Sequence, residues 1–308
     1  MTFDYAGYSE ERLLELSNDY KRKPHMMCWK HRMVELYSYG RLIREYGFFP
    51  SFLPIYIYHL HGPGVINLIQ DHELNSGAYC MFVNAKEDAR KFLDAGMKRC
   101  EVMLHPFVFY RRKYKVDRAD DARGTLVFPS HSIYNTEELS DIDAYIRQLK
   151  KLPDIYKPLA VCLHCVDVNK GKYKKYMDAG FPVYTAGHTN NYRYVERFYD
   201  VLRHFKYATS NAYGSYIYYA VEMGIPFFMH GDEVEYENYS DPGLPVGRVK
   251  ITFPYVLRIY SMFSEMTTVI SEEQRKEVEK GLGMVDGISR FKMARILYSA
   301  LLAHPFFH

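Results

Sequence analysis

The chain has 308 residues, of which 48% are hydrophobic and 25% are charged, and its formal net charge is +3. This balance is typical of a globular protein with a full core, which excludes a disordered chain, and the small charge gives no indication of a nucleic-acid partner. No apolar stretch reaches roughly 18 residues without a charge, so we expect no transmembrane helix.

The first predicted elements are helical. Ser9 precedes two glutamates and an apolar run, which indicates a helix capped by the Ser9 side chain. A second helix is predicted over 28–46, ended by Gly47. The segment after it is rich in β-forming residues but holds two prolines, so a strand is predicted only after Pro54.

Strands and helices then alternate. A strand is predicted over 77–84, a helix over 85–95 and another strand over 100–104. The stretch 111–123 has mixed charges and no apolar periodicity, and we predict a linker there.

A second alternating series follows the predicted linker. Its predicted strands are 125–129, 159–166, 182–186, 207–210 and 225–230. The helices predicted between them are 137–151, 173–179, 191–205 and 214–223. Strict alternation with short turns indicates parallel βαβ units with helices on both faces of a sheet. The segment from about residue 253 onward is predicted to be helical.

We therefore predict an α/β fold with two Rossmann-like domains facing a cleft, a helical N-terminus and a helical C-terminal tail. The predicted domain limits are 1–120 and 121–285, with 286–308 as a C-terminal helix that packs back on the first domain. The first domain is abbreviated, because few residues precede its first strand. The N-terminus has no basic-then-apolar signal pattern and the five cysteines are scattered, so we expect a cytoplasmic protein.

Polar loops follow several of the predicted strands. In open α/β sheets ligands bind beyond the carboxyl ends of the strands, so these loops supply the candidate site residues. The candidates are His61, Ser130, His131, Gly187, His188, Thr189, Asn190, Ser210, Asn211, Gly214, Ser215, His230, Asp232 and Glu233.

The strongest single feature is the segment 210–232, SNAYGSYIYYAVEMGIPFFMHGD. A short predicted strand ends in a polar turn, and Gly214 and Ser215 then open a helix. Amides in the first turn of a helix are unpaired and the helix dipole is positive there, which favours a bound phosphate. The alternative is an ordinary βαβ unit with a small residue at a tight crossing.

The run 210–231 resembles the donor-binding half of glycosyltransferases of the GT-B fold, in which the pattern (S/T)NxxGSxxxxAxxxGxPxxxxG recurs. The turn at 61–64 (HGPG), the following strand and helix, and the VMLHPF segment at 102–107 resemble the first domain of the same superfamily. Capsule sugar transferases and CDP-glycerol glycerophosphotransferases of bacterial surface-polysaccharide synthesis have elements in this order. The resemblance covers roughly residues 57–235 and lies in motif order and spacing.

The resemblance implies a glycosyltransferase in which 1–120 lies on the acceptor side and 121–285 binds a nucleotide-activated donor. The pyrophosphate would bind at Gly214 and Ser215, the nucleoside near 185–191, and Ser130 and His131 would lie close to the phosphates. A sugar or ribose would contact the residues of the last loop, which are His230, Asp232 and Glu233.

The resemblance also implies a catalytic role for His61, as the general base that accepts a proton from an acceptor hydroxyl, which suits an imidazole near neutral pH. No cofactor or metal is expected, since helix dipoles and basic side chains can offset the charge of the leaving diphosphate. The expected partners are a nucleotide-sugar donor and a saccharide or lipid-linked acceptor.

Two further motifs favour plain structural roles. Cys162 and Cys165 have CxxC spacing but fall inside a predicted strand with no second pair, which favours two core thiols over a zinc site. Asp141 and Asp143 form a DxD pattern inside a predicted helix, which favours a solvated helix face.

Basic runs interleaved with tyrosine, 21–23, 111–113 and 170–175, are candidates for peripheral contact with an anionic membrane at the inner face of the plasma membrane. Two other functions stay open from the sequence. One is a nucleotide-sugar 2-epimerase of the same architecture, and the other is a non-catalytic relative that binds a glycan or a protein partner.

Overall fold

The structure is a computed structural model that describes residues 3–20, 32–60, 62–63, 69–133, 135–241 and 243–304, with residues 32–34 described by their backbone alone. The chain divides into two compact units. The first unit comprises Met1–Asp19, Val116–His188 and Glu196–Gln274, and the second comprises Tyr20–Lys115, Thr189–Val195 and Arg275–His308.

The α-helices in chain order are α1 (Glu10–Ser17), α2 (Tyr39–Tyr46), α3 (Asp71–Leu74), α4 (Lys86–Asp94), α5 (Pro106–Lys113), α6 (Ile142–Lys150), α7 (Cys165–Asn169), α8 (Tyr173–Asp178), α9 (Tyr194–Leu202), α10 (Tyr216–Glu222), α11 (Pro254–Met262), α12 (Glu272–Gly281) and α13 (Arg290–Ala303). Short 3₁₀ segments cover Arg32–Ser38 and Asp154–Tyr156. The strands are β1 (Tyr58–His59), β2 (Met81–Val83), β3 (Cys100–Val102), β4 (Thr125–Val127), β5 (Thr136–Glu138), β6 (Leu159–Cys162), β7 (Val183–Tyr184), β8 (Tyr207–Ser210), β9 (Phe227–Met229), β10 (Glu235–Asn238) and β11 (Gly247–Lys250).

The first unit is built on a five-stranded sheet in the order β7-β6-β4-β8-β9, in which every neighbouring pair is parallel. Leu126 in β4 lies opposite Ala160 on one side and Ala208 on the other. The residues of β4, β6, β7 and β8 are all buried, as expected for a parallel sheet that is covered on both faces. The predicted mixed α/β class with parallel strands is confirmed.

A three-stranded antiparallel sheet, β11-β10-β5, completes the first unit. The prediction of a continuous helix over 137–151 is wrong at its start, since Glu137 and Glu138 pair with β10 and α6 begins only at Ile142. The side chain of Asp141 accepts from the N–H groups of Asp143 and Ala144, so it caps the helix start. The first aspartate of the DxD pattern therefore serves as a helix cap.

The second unit contains a parallel sheet in the order β1-β2-β3. Its core is formed by Tyr58, Met81, Val83, Ala89, Phe92 and Val102. The predicted linker is helical at its beginning, because α5 continues to Lys113. This helix starts at His105, whose Nδ1 accepts the N–H of Phe107.

The second predicted helix is shorter than expected. The backbone leaves helical geometry at Leu36 and enters the left-handed region at Tyr37 and Ser38, so α2 begins at Tyr39. Residues 28–31 of that predicted helix lie outside the described residues. The first predicted helix is confirmed, and the Ser9 Oγ accepts the N–H of Arg12 at its start.

The N-terminal residues belong to the first unit. The N–H of Tyr8 donates to the carbonyl of Val183, and Leu13 is part of the same core as Val161. The predicted limits 1–120, 121–285 and 286–308 therefore differ from the two units at both ends of the chain, and as domain limits they stay a prediction. The arrangement of two domains facing a cleft also stays a prediction.

Candidate functional site

Loops with polar side chains gather at one edge of the first unit's parallel sheet. All five strands point the same way, so their carboxyl ends meet at that edge. The loop residues at the strand ends are Ser130 and His131 after β4, His164 after β6, Gly187 and His188 after β7, Asn211 after β8, and His230 after β9.

The order of the strands reverses between β4 and β8, since β6 and β7 lie on one side of β4 and β8 and β9 lie on the other. Just beyond the ends of these two strands the N–H of Ser130 donates to Oδ1 of Asn211 at 2.8 Å. Both residues are buried. Open parallel sheets bind ligands at such a reversal point, so two of the predicted site residues meet where the topology favours a ligand.

A buried ion-pair network supports Ser130 from below. Oγ of Ser130 donates to Oε1 of Glu138 at 3.0 Å, and Nζ of Lys172 donates to Oε2 of the same carboxylate at 2.7 Å. Nζ of Lys172 also lies 3.1 Å from Oδ1 of Asp167. The N–H of Ser132 donates to Oδ2 of Asp167 at 3.2 Å, so the network fixes the loop after β4 at two points.

The electrostatics of this network follow from its charge count. Burial alone would lower the pKa of Lys172, but the carboxylates of Asp167 and Glu138 outweigh burial, so the pKa lies above its ordinary value. One ammonium among two buried carboxylates leaves the network with an excess negative charge. A phosphate placed directly on it would be repelled, so the network can position the loop but is a poor anion site.

Sequence reasoning missed this network. Lys172 lies in the basic run 170–175, for which the sequence predicts contact with an anionic membrane, and Glu138 lies in a stretch predicted as a helix. Two signals pointed to it without being specific. Asp167 follows a buried strand within five residues, and the segment 163–173 contains two lysines, Lys170 and Lys172.

A small pocket opens beside the network, and its free space holds about one water molecule. It is lined by Pro129, Ser130, Glu138, Leu163, Lys172, Asn211 and Tyr145 among others. The hydroxyl of Tyr145 is buried and makes no hydrogen bond to any residue in the described part of the chain. Burial raises the pKa of Tyr145, so this hydroxyl stays protonated.

Two imidazoles stack at the ends of the neighbouring strands β4 and β6. The rings of His131 and His164 lie 4.3 Å apart between centroids and within 18° of parallel. Nδ1 of His131 lies 3.1 Å from the carbonyl of Ser132, and a carbonyl only accepts, so this nitrogen carries the hydrogen. The Nε2 atom of neutral His131 therefore has a lone pair. His164 was not predicted as a site residue.

The loop after β7 is held to the N-terminal helix. Gly187 has φ +85°, and a Cβ there would lie 2.8 Å from the carbonyl oxygen of Leu16. The N–H of His188 donates to that same oxygen, and the His188 side chain is buried. Of the predicted group, Gly187 and His188 belong to the first unit, whereas Thr189 and Asn190 belong to the second.

The turn after β8 is closed by a tyrosine ring. A Cβ on Gly214 would lie 2.3 Å from the ring of Tyr216, whose hydroxyl donates to the carbonyl of Ala212 at 2.7 Å. Oγ of Ser210 lies 2.8 Å from that hydroxyl. The amides of Gly214, Ser215 and Tyr216 make no hydrogen bond to described residues. The helix they open, α10, has seven residues, so its dipole is short.

The predicted sugar-contact residues make bonds at the surface of the first unit. Nε2 of Gln148 donates to the Asp232 carboxylate at 2.6 Å, and Nζ of Lys250 donates to Glu233 at 3.0 Å. Nε2 of His230 lies 3.3 Å from the carbonyl of Gln148. These three side chains therefore have partners of their own. The predicted general base, His61, lies outside the described residues.

The described residues contain no cluster of three or more histidine, cysteine, aspartate or glutamate side chains that could hold a metal ion. Cys162 and Cys165 are buried and belong to no disulfide, and burial raises the pKa of Cys162 to about 12. Cys165 opens α7 rather than continuing the strand, which corrects the placement of the CxxC pair. Within the described ranges, no helix has the length and apolar character needed to cross a membrane.

The sequence matches no known family model and no curated protein. The solved structure of the wall teichoic acid polymerase TagF is similar at 13% identity and a TM-score of 0.40, over 84% of this chain and 71% of that chain. The UDP-GlcNAc 2-epimerase from Neisseria meningitidis, bound to UDP-GlcNAc, is similar at 10% identity and a TM-score of 0.39, over 86% of this chain and 81% of that chain. Function is accordingly inferred from the chain's own residues.

Proposed function

We propose that the chain is a transferase that moves a sugar or a polyol phosphate from a nucleotide-activated donor to a saccharide or lipid-linked acceptor. The observation that carries this proposal is the contact between Ser130 and Asn211 at the reversal point of an all-parallel sheet. The strand order β7-β6-β4-β8-β9 corresponds to 3-2-1-4-5 in chain order, which is the Rossmann order 3-2-1-4-5-6 without its sixth strand.

The donor diphosphate would lie above the reversal point rather than in the ion-pair network. Lys172 is committed to Glu138 and Asp167, and their excess negative charge opposes an anion. The groups suited to phosphate oxygens are the amides of Gly214 and Ser215. The half-buried side chain of His131 would join them only as an imidazolium, whose Nε2–H could donate to a phosphate oxygen while Nδ1 stays bonded to Ser132. The ion-pair network has a positioning role in this proposal, because it holds the loop that carries His131.

The remaining roles follow the sequence resemblance. His61 would accept the proton of the acceptor hydroxyl, and no metal would be needed to offset the leaving diphosphate. The residues 185–191 would contact the nucleoside. A role for His230, Asp232 or Glu233 in sugar binding would require each to exchange its surface partner for a ligand hydroxyl.

A second candidate function has one observation in its favour. Nucleotide-sugar 2-epimerases need carboxylates near the donor, and Glu138 and Asp167 are two buried carboxylates at the reversal point. Both are already paired with Lys172 rather than open to a ligand, which places this candidate second. A product assay without acceptor separates the two functions, because only the epimerase consumes the nucleotide sugar in that assay.

The direct experiment is a thermal shift measurement with UDP, CDP, CMP and GDP at millimolar concentration. A nucleotide at 100 times its Kd adds about 2.7 kcal/mol to the stability of the folded state, so Tm rises measurably for at least one of the four. His131→Ala should weaken this stabilisation, and the exposed His72→Ala in the second unit is the matched control. The proposal fails if no nucleotide raises Tm, or if both variants behave alike.

A further inference from the structure

Helix α13 has two opposite apolar faces. One face, formed by Met293, Leu297 and Ala300, is buried in the second unit. On the other side of the helix Phe291 is 79% exposed, Tyr298 42% and Leu302 76%, at the spacing i, i+7 and i+11. A helix that packs in a globular protein needs only one apolar stripe. In the second stripe the ring of Tyr298 packs on that of the buried Phe49, with centroids 4.9 Å apart, while Phe291 and Leu302 stay mostly exposed.

The exposed stripe continues onto the loop after α2. The ring centroids of Phe48 and Phe291 lie 5.7 Å apart, and the guanidinium carbon of Arg290 lies 3.8 Å from the centroid of Phe48. Arg290 is held in turn by the carbonyls of Glu45 and Tyr46, each at 2.9 Å. We call Phe48, Phe291, Tyr298 and Leu302 the aromatic face.

Phe48 is displayed at a position that its backbone disfavours. It has φ +51°, in the left-handed region, where glycine is the residue usually found after a helix. The N–H of Phe49 donates to the carbonyl of Arg44 at 2.8 Å, which is the bond that closes this type of helix end. A half-exposed phenylalanine in that conformation indicates a constraint other than folding.

The charged side chains of α13 itself are all basic. Arg290, Lys292 and Arg295 lie on α13, and the helix contains no acidic residue. Lys292 pairs with Glu101, whereas Arg295 is exposed and makes no ion pair with any residue that the structure describes. Exposed aromatic side chains flanked by arginine are suited to the interface of an anionic bilayer.

The basic run 170–175 that the sequence singled out has less uncompensated positive charge than its lysines suggest. Lys170 pairs with Glu137 at 2.9 Å, Lys174 lies 3.7 Å from Glu10, and Lys175 pairs with Asp143 at 2.6 Å. Lys113 pairs with Glu45 at 2.8 Å, and 21–23 lie outside the described residues. The ion pairs of these described lysines offset much of the positive charge of their runs.

We propose that the aromatic face of the second unit docks on an anionic lipid surface, with Phe48, Phe291 and Leu302 entering the headgroup boundary and Arg295 facing the lipid phosphates. In a twofold contact between two copies of the chain the same basic side chains would face each other, whereas an anionic lipid surface is complementary to both the rings and the arginine. This inference is separate from the proposed donor site, because vesicle binding is measured without nucleotide and either result can fail alone.

The test is cosedimentation of the full chain with phosphatidylcholine vesicles and with vesicles that hold one quarter phosphatidylglycerol. Binding is expected to the anionic vesicles and to weaken at high salt. The double variant F291S/L302S should bind at least about tenfold more weakly, a loss of roughly 1.4 kcal/mol in binding free energy. The matched control is L257S/V269S, which removes two exposed apolar side chains of the first unit.

Phe48→Gly is a second test variant, because a loss of vesicle binding in it could not be explained by misfolding. Glycine suits the left-handed conformation, so the fold is retained or stabilised while vesicle binding weakens. The proposal is overturned if the wild type ignores anionic vesicles, or if the control loses binding as much as the double variant. It is also overturned if the wild type forms a dimer that F291S/L302S dissociates, since the aromatic face would then be an interface between two copies.

Discussion

Nζ of Lys172 lies 2.7 Å from Oε2 of Glu138, and this ion pair joins β5 to the segment before α8 beneath the reversal point of the parallel sheet. Replacement of Lys172 by Met would leave the carboxylates of Glu138 and Asp167 buried without their cation. The loss of one partner of a buried ion pair typically costs about 3–5 kcal/mol, and urea unfolding should show a loss of that order.

The matched control is Lys170→Met, which removes an exposed pair with Glu137. Exposed pairs contribute about 0–1 kcal/mol, so this variant should unfold at nearly the wild-type urea concentration. Equal losses in the two variants would show that Lys172 is no more important to the fold than a surface lysine.

Gly187 should tolerate no side chain. Gly187→Ala places a methyl group 2.8 Å from the carbonyl oxygen of Leu16 and requires φ +85° of a non-glycine residue. Gly180→Ala has the same backbone demand, with φ +87°, but has open space around the new methyl group. We expect Gly180→Ala to cost about 1–2 kcal/mol and Gly187→Ala clearly more, as measured by urea unfolding. Similar losses would contradict the packing of this loop on α1.

The hydroxyls of two buried tyrosines should contribute differently to the free energy of unfolding. The hydroxyl of Tyr145 has no hydrogen-bond partner among the described residues, so Tyr145→Phe should change stability by no more than about 0.5 kcal/mol. The hydroxyl of Tyr216 bonds with Ser210 and the carbonyl of Ala212, so Tyr216→Phe should cost about 1–2 kcal/mol. A reversed order in thermal or urea unfolding would contradict these hydrogen-bond assignments.

His204 should make stability depend on pH. Burial lowers the pKa of His204 below its ordinary value of 6.5, and the nearby Asp121 carboxylate offsets this only in part. The unfolded chain then binds the proton more readily, so this contribution to stability is present above pH 6.5 and is lost as the pH falls through the folded-state pKa. Between pH 7.5 and pH 5, His204→Gln should therefore lose less stability than the wild type in urea unfolding. An equal loss of stability in both proteins would show that His204 does not cause the pH dependence.

Much of the first unit could be predicted from the sequence, because its parallel strands are short apolar runs bounded by turn residues. The strand Tyr207–Ser210 has the predicted limits, and the Ser9 cap starts α1 as expected. The pair β10 and β11 escaped prediction, because Glu235–Asn238 and Gly247–Lys250 are largely polar and carry no apolar run. The pairing of β10 with β5 depends on contacts about 100 residues away in the chain.

The candidate site could be predicted only in part. The contact of Ser130 with Asn211 follows from strand ends that meet at one edge, which alternation in the sequence implies. The partners of Lys172 could not be predicted, since a lysine in a basic run gives no signal that two distant carboxylates enclose it. The fit of Tyr216 over Gly214 likewise depends on side-chain packing that no local pattern encodes.

The most direct test of the proposed donor site is amide hydrogen exchange with and without millimolar CDP or UDP. If a nucleotide diphosphate binds at the reversal point, the amides of 130–132 and 213–216 exchange more slowly in its presence, while those of α13 are unchanged. Unchanged exchange in both segments, or protection confined to another part of the chain, would contradict a donor site at the contact between Ser130 and Asn211.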